Sequence, residues 1–378
     1  MYNYIYNFQT NTYVSIYSQL GKKILNSYIS TSNISNSNIT NYNTPKNIPY
    51  QKGGLPKMTL NLIYMAKPVY GGWVSFTAHL SLKYNLNLYK IGNRTETNSR
   101  DYGYGVKYRN ISIDEIKHLD NILITAIDKN YYKYLNSFPD NTKIVIHDPT
   151  EVKGKSCQPV LDNLNRFNVI TIRETVKQFI KDKYNVKSLC LPHPFFPYPK
   201  SKLDKSGAVS ISRIDYDKHT EIIIKANKLL KTPITIYGAK NDLFVYRVLK
   251  DLNLDSMSEK DPISNYKGRF AKSFPDIDTI LAPAKWMVDM SAINNDGGGS
   301  QYTFLEAIYQ DCCLILSDKW INVVKTHYKH NYNCLIVKNE MELSKIIVEN
   351  KAVNNIVNNA KLLLKPHIEI DWIKELSI

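Results

Sequence analysis

The sequence predicts an α/β protein of two doubly wound domains facing a cleft. Three observations carry that expectation. An apolar run with Leu60, Leu62, Ile63 and Met65 is followed by Gly71 and Gly72, then by an apolar helical pattern over 73–84. Strand, glycine loop and helix in that order open a doubly wound domain, with the loop at the carboxyl edge of the sheet where ligands bind. A second series of strands and helices begins at Ala208, after a proline-rich stretch over 193–207. Such alternation builds a parallel sheet covered on both faces. Finally, 378 residues suit two domains that each bury a core.

Residues 1–57 are rich in Asn, Tyr, Ser and Thr and show little periodicity from 31 to 54. A segment of that composition buries too little apolar surface to order itself, so it is expected to be disordered, apart from a candidate helix over 13–25. The folded part is expected to open at Met58. In the first domain, 58–192, strands are expected at 60–65, 86–91, 122–126, 143–146, 169–172 and 188–191, and helices at 73–84, 131–137 and 175–184. Residues 193–207 read as an interdomain linker. In the second domain, 208–350, the order is strand 208–212, helix 219–230, strand 234–237, Gly238, helix 241–252 and strand 277–282. A triple-glycine loop behind Asp296, a helix carrying Phe304, Leu305, Ile308 and Tyr309, strand 313–316 and helix 340–350 follow. Helical segments at 353–364 and 371–376 close the chain, and no repeat at solenoid spacing is found.

Composition narrows the function classes. The chain holds 49 Lys and Arg against 34 Asp and Glu, net +15; no acidic residue precedes Glu96, and lysines are dense between 173 and 205. That balance suits a polyanionic partner or substrate, or simply a solvated basic face. Cys157, Cys190, Cys312, Cys313 and Cys334 are scattered, which argues for free thiols in a reducing compartment rather than a disulfide frame or a zinc site. No apolar run approaches the roughly 20 residues that cross a bilayer, and the start lacks a basic region followed by an apolar core. The chain reads as soluble and cytoplasmic, with no membrane span.

Four constellations carry chemistry. The glycine loop at Gly297, Gly298 and Gly299 leaves bare amides at a helix N-terminus, suited to a phosphate. Glu306, placed in the first turn of that helix, either accepts sugar hydroxyls or only complements the helix dipole. Arg213 at a strand end and Lys218 at a helix start can converge on a diphosphate, or form surface ion pairs with Asp215 and Asp217. His147 and Asp148, at the carboxyl end of the strand 143–146, can manage a proton or hold a hydroxyl, or can serve as turn formers before Pro149.

Taken in this order, the residues resemble the GT-B glycosyltransferases, two Rossmann-like domains facing a cleft, and within them the broad retaining group with a Glu-x7-Glu signature. The matching positions are Gly71 and Gly72, His147, the Arg-x4-Lys pair Arg213 and Lys218, and the helix start Leu305, Glu306, Ala307. The first glutamate of the signature falls at Gly298, so its sugar contact is missing or is supplied by Asp296 or Asp289. Locally the chain is similar to the DNA α-glucosyltransferases of T-even phages, at Met65, Ala66 and Lys67, at His147 and Asp148, at Met290 and Ser291, and at Gln301 through Glu306.

The resemblance implies a retaining, metal-independent hexosyltransferase that uses UDP-glucose as co-substrate and needs no other cofactor. It implies donor contacts at Gly71, Gly72, Arg213, Lys218, Gly238, Asp296, Gly298, Gly299, Gln301, Thr303 and Glu306, with His147 and Asp148 catalytic on the acceptor side. No Asp-x-Asp motif is clearly positioned to hold a metal on the diphosphate, and Arg213 and Lys218 take that work. Hydroxymethylated DNA is the expected acceptor, in keeping with the basic charge. The alternatives are an enzyme of the same fold acting on a glycan, lipid or small molecule, and a non-catalytic nucleic-acid-binding protein on that scaffold.

Overall fold

The computed structural model describes residues 4–7, 12–15, 18, 19, 22, 59–66, 71–91, 104, 106, 108–249, 265–269, 273–292, 301–321 and 326–377. The chain divides into two compact units, Met1–Lys57 and Met58–Ile378. In the first, β1 (Tyr4–Asn7) and β2 (Thr12–Ser15) pair antiparallel. Two strands thus stand where disorder was expected, and β2 overlaps the start of the expected 13–25 helix. Tyr13 and Val14 are aromatic and β-branched, types that fit a pleated surface.

The second unit holds two sheets, parallel throughout. The first contains β3 (Asn61–Met65), β4 (Asn87–Ile91), β5 (Arg109–Ile111), β6 (Ile122–Ile127), β7 (Lys143–Ile146), β8 (Asn168–Thr171) and β9 (Ser188–Cys190), in the order β5-β4-β3-β6-β7-β8-β9. Its helices are α1 (Gly72–Tyr84), α2 (Ile113–Ile116), α3 (Gln158–Asn163) and α4 (Glu174–Tyr184). β3 and β6 are buried along their whole length, as central strands covered on both faces must be. The helix expected at 131–137 is a 3-10 turn, Tyr132–Ser137.

The second sheet contains β10 (Ser206–Ile211), β11 (Thr235–Tyr237), β12 (Ala284–Asp289), β13 (Cys313–Ser317) and β14 (Leu335–Val337), in the order β11-β10-β12-β13-β14. Its helices are α5 (Thr220–Asn227), α6 (Asp242–Phe244, running into a π turn at Val245–Leu249), α7 (Phe274–Leu281), α8 (Gln301–Tyr309), α9 (Asp318–Ile321) and α10 (Glu340–Glu349). α11 (Asn354–Glu369) and α12 (Trp372–Glu375) end the chain.

The strand expected at 277–282 is a correction: those residues belong to helix α7, and the strand is β12, just beyond it. Ser273 caps α7 by accepting from the Asp276 amide at 3.1 Å, and Pro275 occupies its first turn. A capping Ser followed by Pro and Asp marks a helix start whatever the apolar run behind it. β12 was concealed by Lys285, whose ammonium leaves the strand to bond the Asn350 carbonyl at 3.0 Å, at the end of α10.

Of the stretch expected to be a linker, 206 and 207 open β10 and 193–205 have no regular structure, yet that irregular part is packed as core. Phe195 and Tyr198 are buried, the Pro194 carbonyl accepts from Tyr302 at 2.9 Å, and the Tyr198 carbonyl accepts from Tyr309 at 2.5 Å. The end of the chain returns to the first sheet. Lys83 donates to the carbonyls of Ile368 and Ile370, each at 2.7 Å, and Trp372 donates to the Pro192 carbonyl at 3.0 Å. A lysine among the carbonyls at a helix C-terminus complements the dipole. One apolar cluster runs through β3, α1, the 195–198 stretch, α8 and Trp372, so the two sheets share a core.

Candidate functional site

The carboxyl edge of the second sheet is organised by Gly238. After β10, the Ser212 amide bonds the Tyr237 carbonyl at 3.1 Å and the Ile214 amide bonds Ala239 at 2.8 Å, so 212–214 runs beside 237–239. A Cβ on Gly238 would lie 1.7 Å from the Ser212 oxygen, and its φ is +148°. Only glycine fits there, and the neighbour it admits is the backbone leading into Arg213.

Arg213 and Lys218 do converge. The Arg213 guanidinium lies 3.1 Å from Asp215 and 3.5 Å from Asp217, and Lys218 Nζ lies 3.3 Å from the same Asp217 oxygen and 3.1 Å from Ser291 Oγ. The Ala292 amide bonds the Asp217 carbonyl at 2.9 Å, fixing this turn against the end of β12. The ion-pair reading is thus present, as two cations around a shared carboxylate. The cations differ in setting. Lys218 is 6 % exposed, whereas the Arg213 side chain is 62 % exposed.

Helix α8 starts at Gln301, earlier than the apolar pattern suggested, which puts Glu306 in its second turn and not its first. Glu306 is 5 % exposed and already engaged: its Oε1 accepts from Tyr104 at 3.1 Å and faces His79 Nε2 at 3.6 Å. The Tyr104 hydroxyl also meets Ser75 at 2.8 Å. His79 Nδ1 accepts from the Phe196 amide at 2.9 Å, so the proton sits on Nε2, toward Glu306. Burial lowers the His79 pKa, and burial followed by the Glu306 charge raises that of Tyr104. Glu306 thus joins α8 of one sheet to α1 of the other. Thr303 is half-buried in the first turn of α8, while Asp296, Gly298, Gly299 and the Gln301 side chain lie outside the described residues.

Across from this edge, Gly71 precedes α1 with φ +101°, and a Cβ at Gly71 or Gly72 would meet nothing within 4 Å. No side chain caps α1 and no acid stands in its first turn, which begins beyond the carboxyl end of β3.

His147 follows β7, and its Nε2 lies 2.7 Å from the Thr125 carbonyl. A carbonyl only accepts, so Nε2 carries the proton and Nδ1 keeps its lone pair. Burial holds the imidazole at about 4, so it is neutral at pH 7. Asp148 caps the next turn by accepting from Thr150 at 2.8 Å, and its other oxygen lies 4.0 Å from Arg173. The turn-former reading of Asp148 accordingly holds beside any role in the cleft.

Several residues here were not foreseen: Glu151, Trp73, Arg173, His79 and Tyr104. Glu151 accepts from Trp73 Nε1 at 2.9 Å and from the His147 amide at 3.1 Å. Burial pushes its carboxyl up to about 8 against the pull of those two donors. Its signal was Asp148 followed three residues later by Glu151, the spacing of a capping box. Among the described residues, no helix is long and apolar enough to cross a membrane, and no group of three or more His, Cys, Asp or Glu is placed to hold a metal ion.

Comparison with known proteins rests on the fold. No protein-family model and no curated protein sequence matches this chain. Anabaena HepE, solved with UDP-glucose, is similar at 14% identity and a TM-score of 0.59, over 84% of this chain and 98% of HepE. HepE solved with UDP and glucose gives a TM-score of 0.58 at 14% identity, over 82% of this chain and 95% of HepE. The chain therefore has the GT-B fold, with two parallel α/β sheets.

Proposed function

We propose that this chain is a glycosyltransferase that moves glucose from UDP-glucose to an acceptor hydroxyl, with retention at the anomeric carbon. The observation that carries the reading is the convergence of Arg213 and the buried Lys218 at the carboxyl edge of the second sheet. The fold shared with HepE, which was solved with UDP-glucose, supports it. In this reading the bond from the anomeric carbon to the diphosphate breaks and a bond to the acceptor oxygen forms. The proton of the acceptor passes to the departing phosphate. Lys218 and Arg213 balance the charge that UDP carries away, displacing Asp217 from between them. The N-terminus of α1, behind Gly71 and Gly72, faces phosphate or sugar with the positive end of its dipole, and Glu306 takes a ribose hydroxyl in exchange for that of Tyr104. His147, neutral and with a free lone pair on Nδ1, holds the acceptor hydroxyl rather than deprotonating it.

The net charge of +15 favours an anionic acceptor, and hydroxymethylated DNA is the one to test first. The test offers labelled UDP-, GDP- and ADP-sugars with hydroxymethylcytosine DNA, unmodified DNA, glycans, lipids and small alcohols. Label on any acceptor, or donor hydrolysis without one, excludes a non-catalytic binding protein. Label on a saccharide and none on modified DNA removes the DNA acceptor and leaves the transferase standing. No turnover of any donor by folded protein ends the proposal.

A further inference from the structure

Beside His147 stands an aromatic ring that the reading above does not use. In the first sheet β6 lies between β3 and β7, so the segments that leave β3 and β7 flank its carboxyl end. Trp73, the second residue of α1, comes after β3, and His147 and Glu151 come after β7. Both segments are pinned to β6. Thr77 Oγ1 lies 2.8 Å from the Trp73 carbonyl and 2.8 Å from Thr125 Oγ1, while His147 Nε2 holds the Thr125 carbonyl at 2.7 Å. The rings of Trp73 and His147 come to 6.5 Å between centroids, with their planes 57° apart. The indole is fixed in turn by its Nε1, which donates to Glu151 at 2.9 Å.

An indole that only filled space would not need that bond. Phe or Leu would cover apolar surface without drawing a carboxyl group into the interior, and Glu151 is only 7 % exposed. Trp73 is itself half-buried, so part of the residue stays uncovered. A fixed aromatic face next to a group that holds a hydroxyl suits an acceptor whose hydroxyl is carried on a flat ring. Arg173, its guanidinium 4.0 Å from Asp148, adds a cation at the same edge of the sheet, and the chain carries a net charge of +15. A flat ring flanked by anions describes a nucleobase on its phosphate backbone better than a neutral glycan. We infer that Trp73 is the platform on which the hydroxymethylated base stacks, a specificity-determining contact that brings its hydroxyl to His147. The inference rests on the transferase reading, and it concerns the acceptor alone.

The experiment compares wild type, Trp73→Leu and Trp73→Phe with UDP-glucose, a panel of saccharides and a short single-stranded oligonucleotide carrying one hydroxymethylcytosine. A single strand spares the cost of extruding the base from a duplex. Leu removes the aromatic face, whereas Phe keeps it and loses only the indole emission. Trp73→Leu should raise the KM for the oligonucleotide about tenfold or more, the size of base stacking on an aromatic ring, with UDP-glucose affinity by calorimetry unchanged. Trp73→Phe should keep most of the oligonucleotide affinity. Oligonucleotide binding should quench tryptophan emission in wild type and not in Trp73→Phe, whether or not sugar is transferred. An unchanged KM in Trp73→Leu, an equal loss of UDP-glucose, or quenching that survives in Trp73→Phe overturns the inference. So does transfer to a saccharide whose KM rises in Trp73→Leu, since the platform would then hold a sugar. Should Trp73→Leu not fold, the quenching comparison with Trp73→Phe decides alone. If no donor is turned over, the transferase reading fails by itself, and quenching still tests the platform separately.

Discussion

In the proposed donor site, Arg213 and Lys218 should not contribute equally, and the difference follows from their burial. Two unit charges about 4 Å apart interact by roughly 4 kcal/mol at an effective dielectric of about 20, and by about 1 kcal/mol in bulk water. Lys218 is 6 % exposed and lies between Asp217 and Ser291, so its interaction with a diphosphate belongs near the first figure. The Arg213 side chain is 62 % exposed, and solvent and salt screen it toward the second. Lys218→Met keeps the stem and removes the charge. Allowing for the relief of its pairing with Asp217, it should lower kcat/KM with UDP-glucose by about 10²–10³-fold, at about 1.4 kcal/mol per factor of ten. Arg213→Met should lower it about 3–10-fold, and that smaller loss should shrink further as salt is raised. Steady-state kinetics over a range of salt, with melting curves to confirm folding, measures both. Equal losses, a larger loss at Arg213, or wild-type turnover in a folded Lys218→Met would refute the electrostatic argument.

Three further outcomes are expected. Gly238→Ala forces a Cβ to 1.7 Å from the Ser212 oxygen at a positive φ, so it should lower the melting temperature and weaken UDP binding together; an unchanged Tm would mean that the β10–β11 edge yields freely. Burial raises the Glu151 carboxyl from 4.5 to about 8, so the folded state retains a proton that the unfolded chain releases first. Stability from this group is complete below pH 4.5 and falls as pH rises toward 8, by at most about 1.4 kcal/mol per pH unit. Urea melts across that window should show the slope in wild type and lose it in Glu151→Gln, whatever the variant's absolute stability. Tyr104→Phe removes the internal donor to Glu306, so UDP should bind more tightly by calorimetry; weaker or equal UDP affinity would make the Tyr104–Glu306 contact purely a brace between α1 and α8.

What the sequence determined by itself is whatever depends on neighbours along the chain. Apolar runs placed β3, β6, β7 and β10, and the alternation of strand and helix gave two parallel sheets, because strands buried on both faces need continuous apolar sequence. The approach of Arg213 and Lys218 to one another was legible because they are separated only by one turn after a strand. His147 was legible because the carboxyl end of a buried strand is a fixed place in such a sheet. Local reading failed where two signals overlap, as at α7, whose apolar residues resemble a strand until the Ser273 cap and Pro275 are weighed.

Only the tertiary structure decided what distant residues do to one another. Glu306 meets Tyr104 across 202 positions, and the Phe196 amide reaches His79 across 117. Neither contact leaves a trace in local periodicity. Residues 193–205 look like a tether in composition, yet Phe195 and Tyr198 bury their rings against α1, α7 and α8, since proline-rich backbone can pack wherever its carbonyls find donors. Asp289 Oδ2, buried at the end of β12 with no hydrogen-bond partner, belongs to the same class. Whether a carboxylate is satisfied depends on every group that folding brings near it, so the unpaired oxygen is visible only in three dimensions.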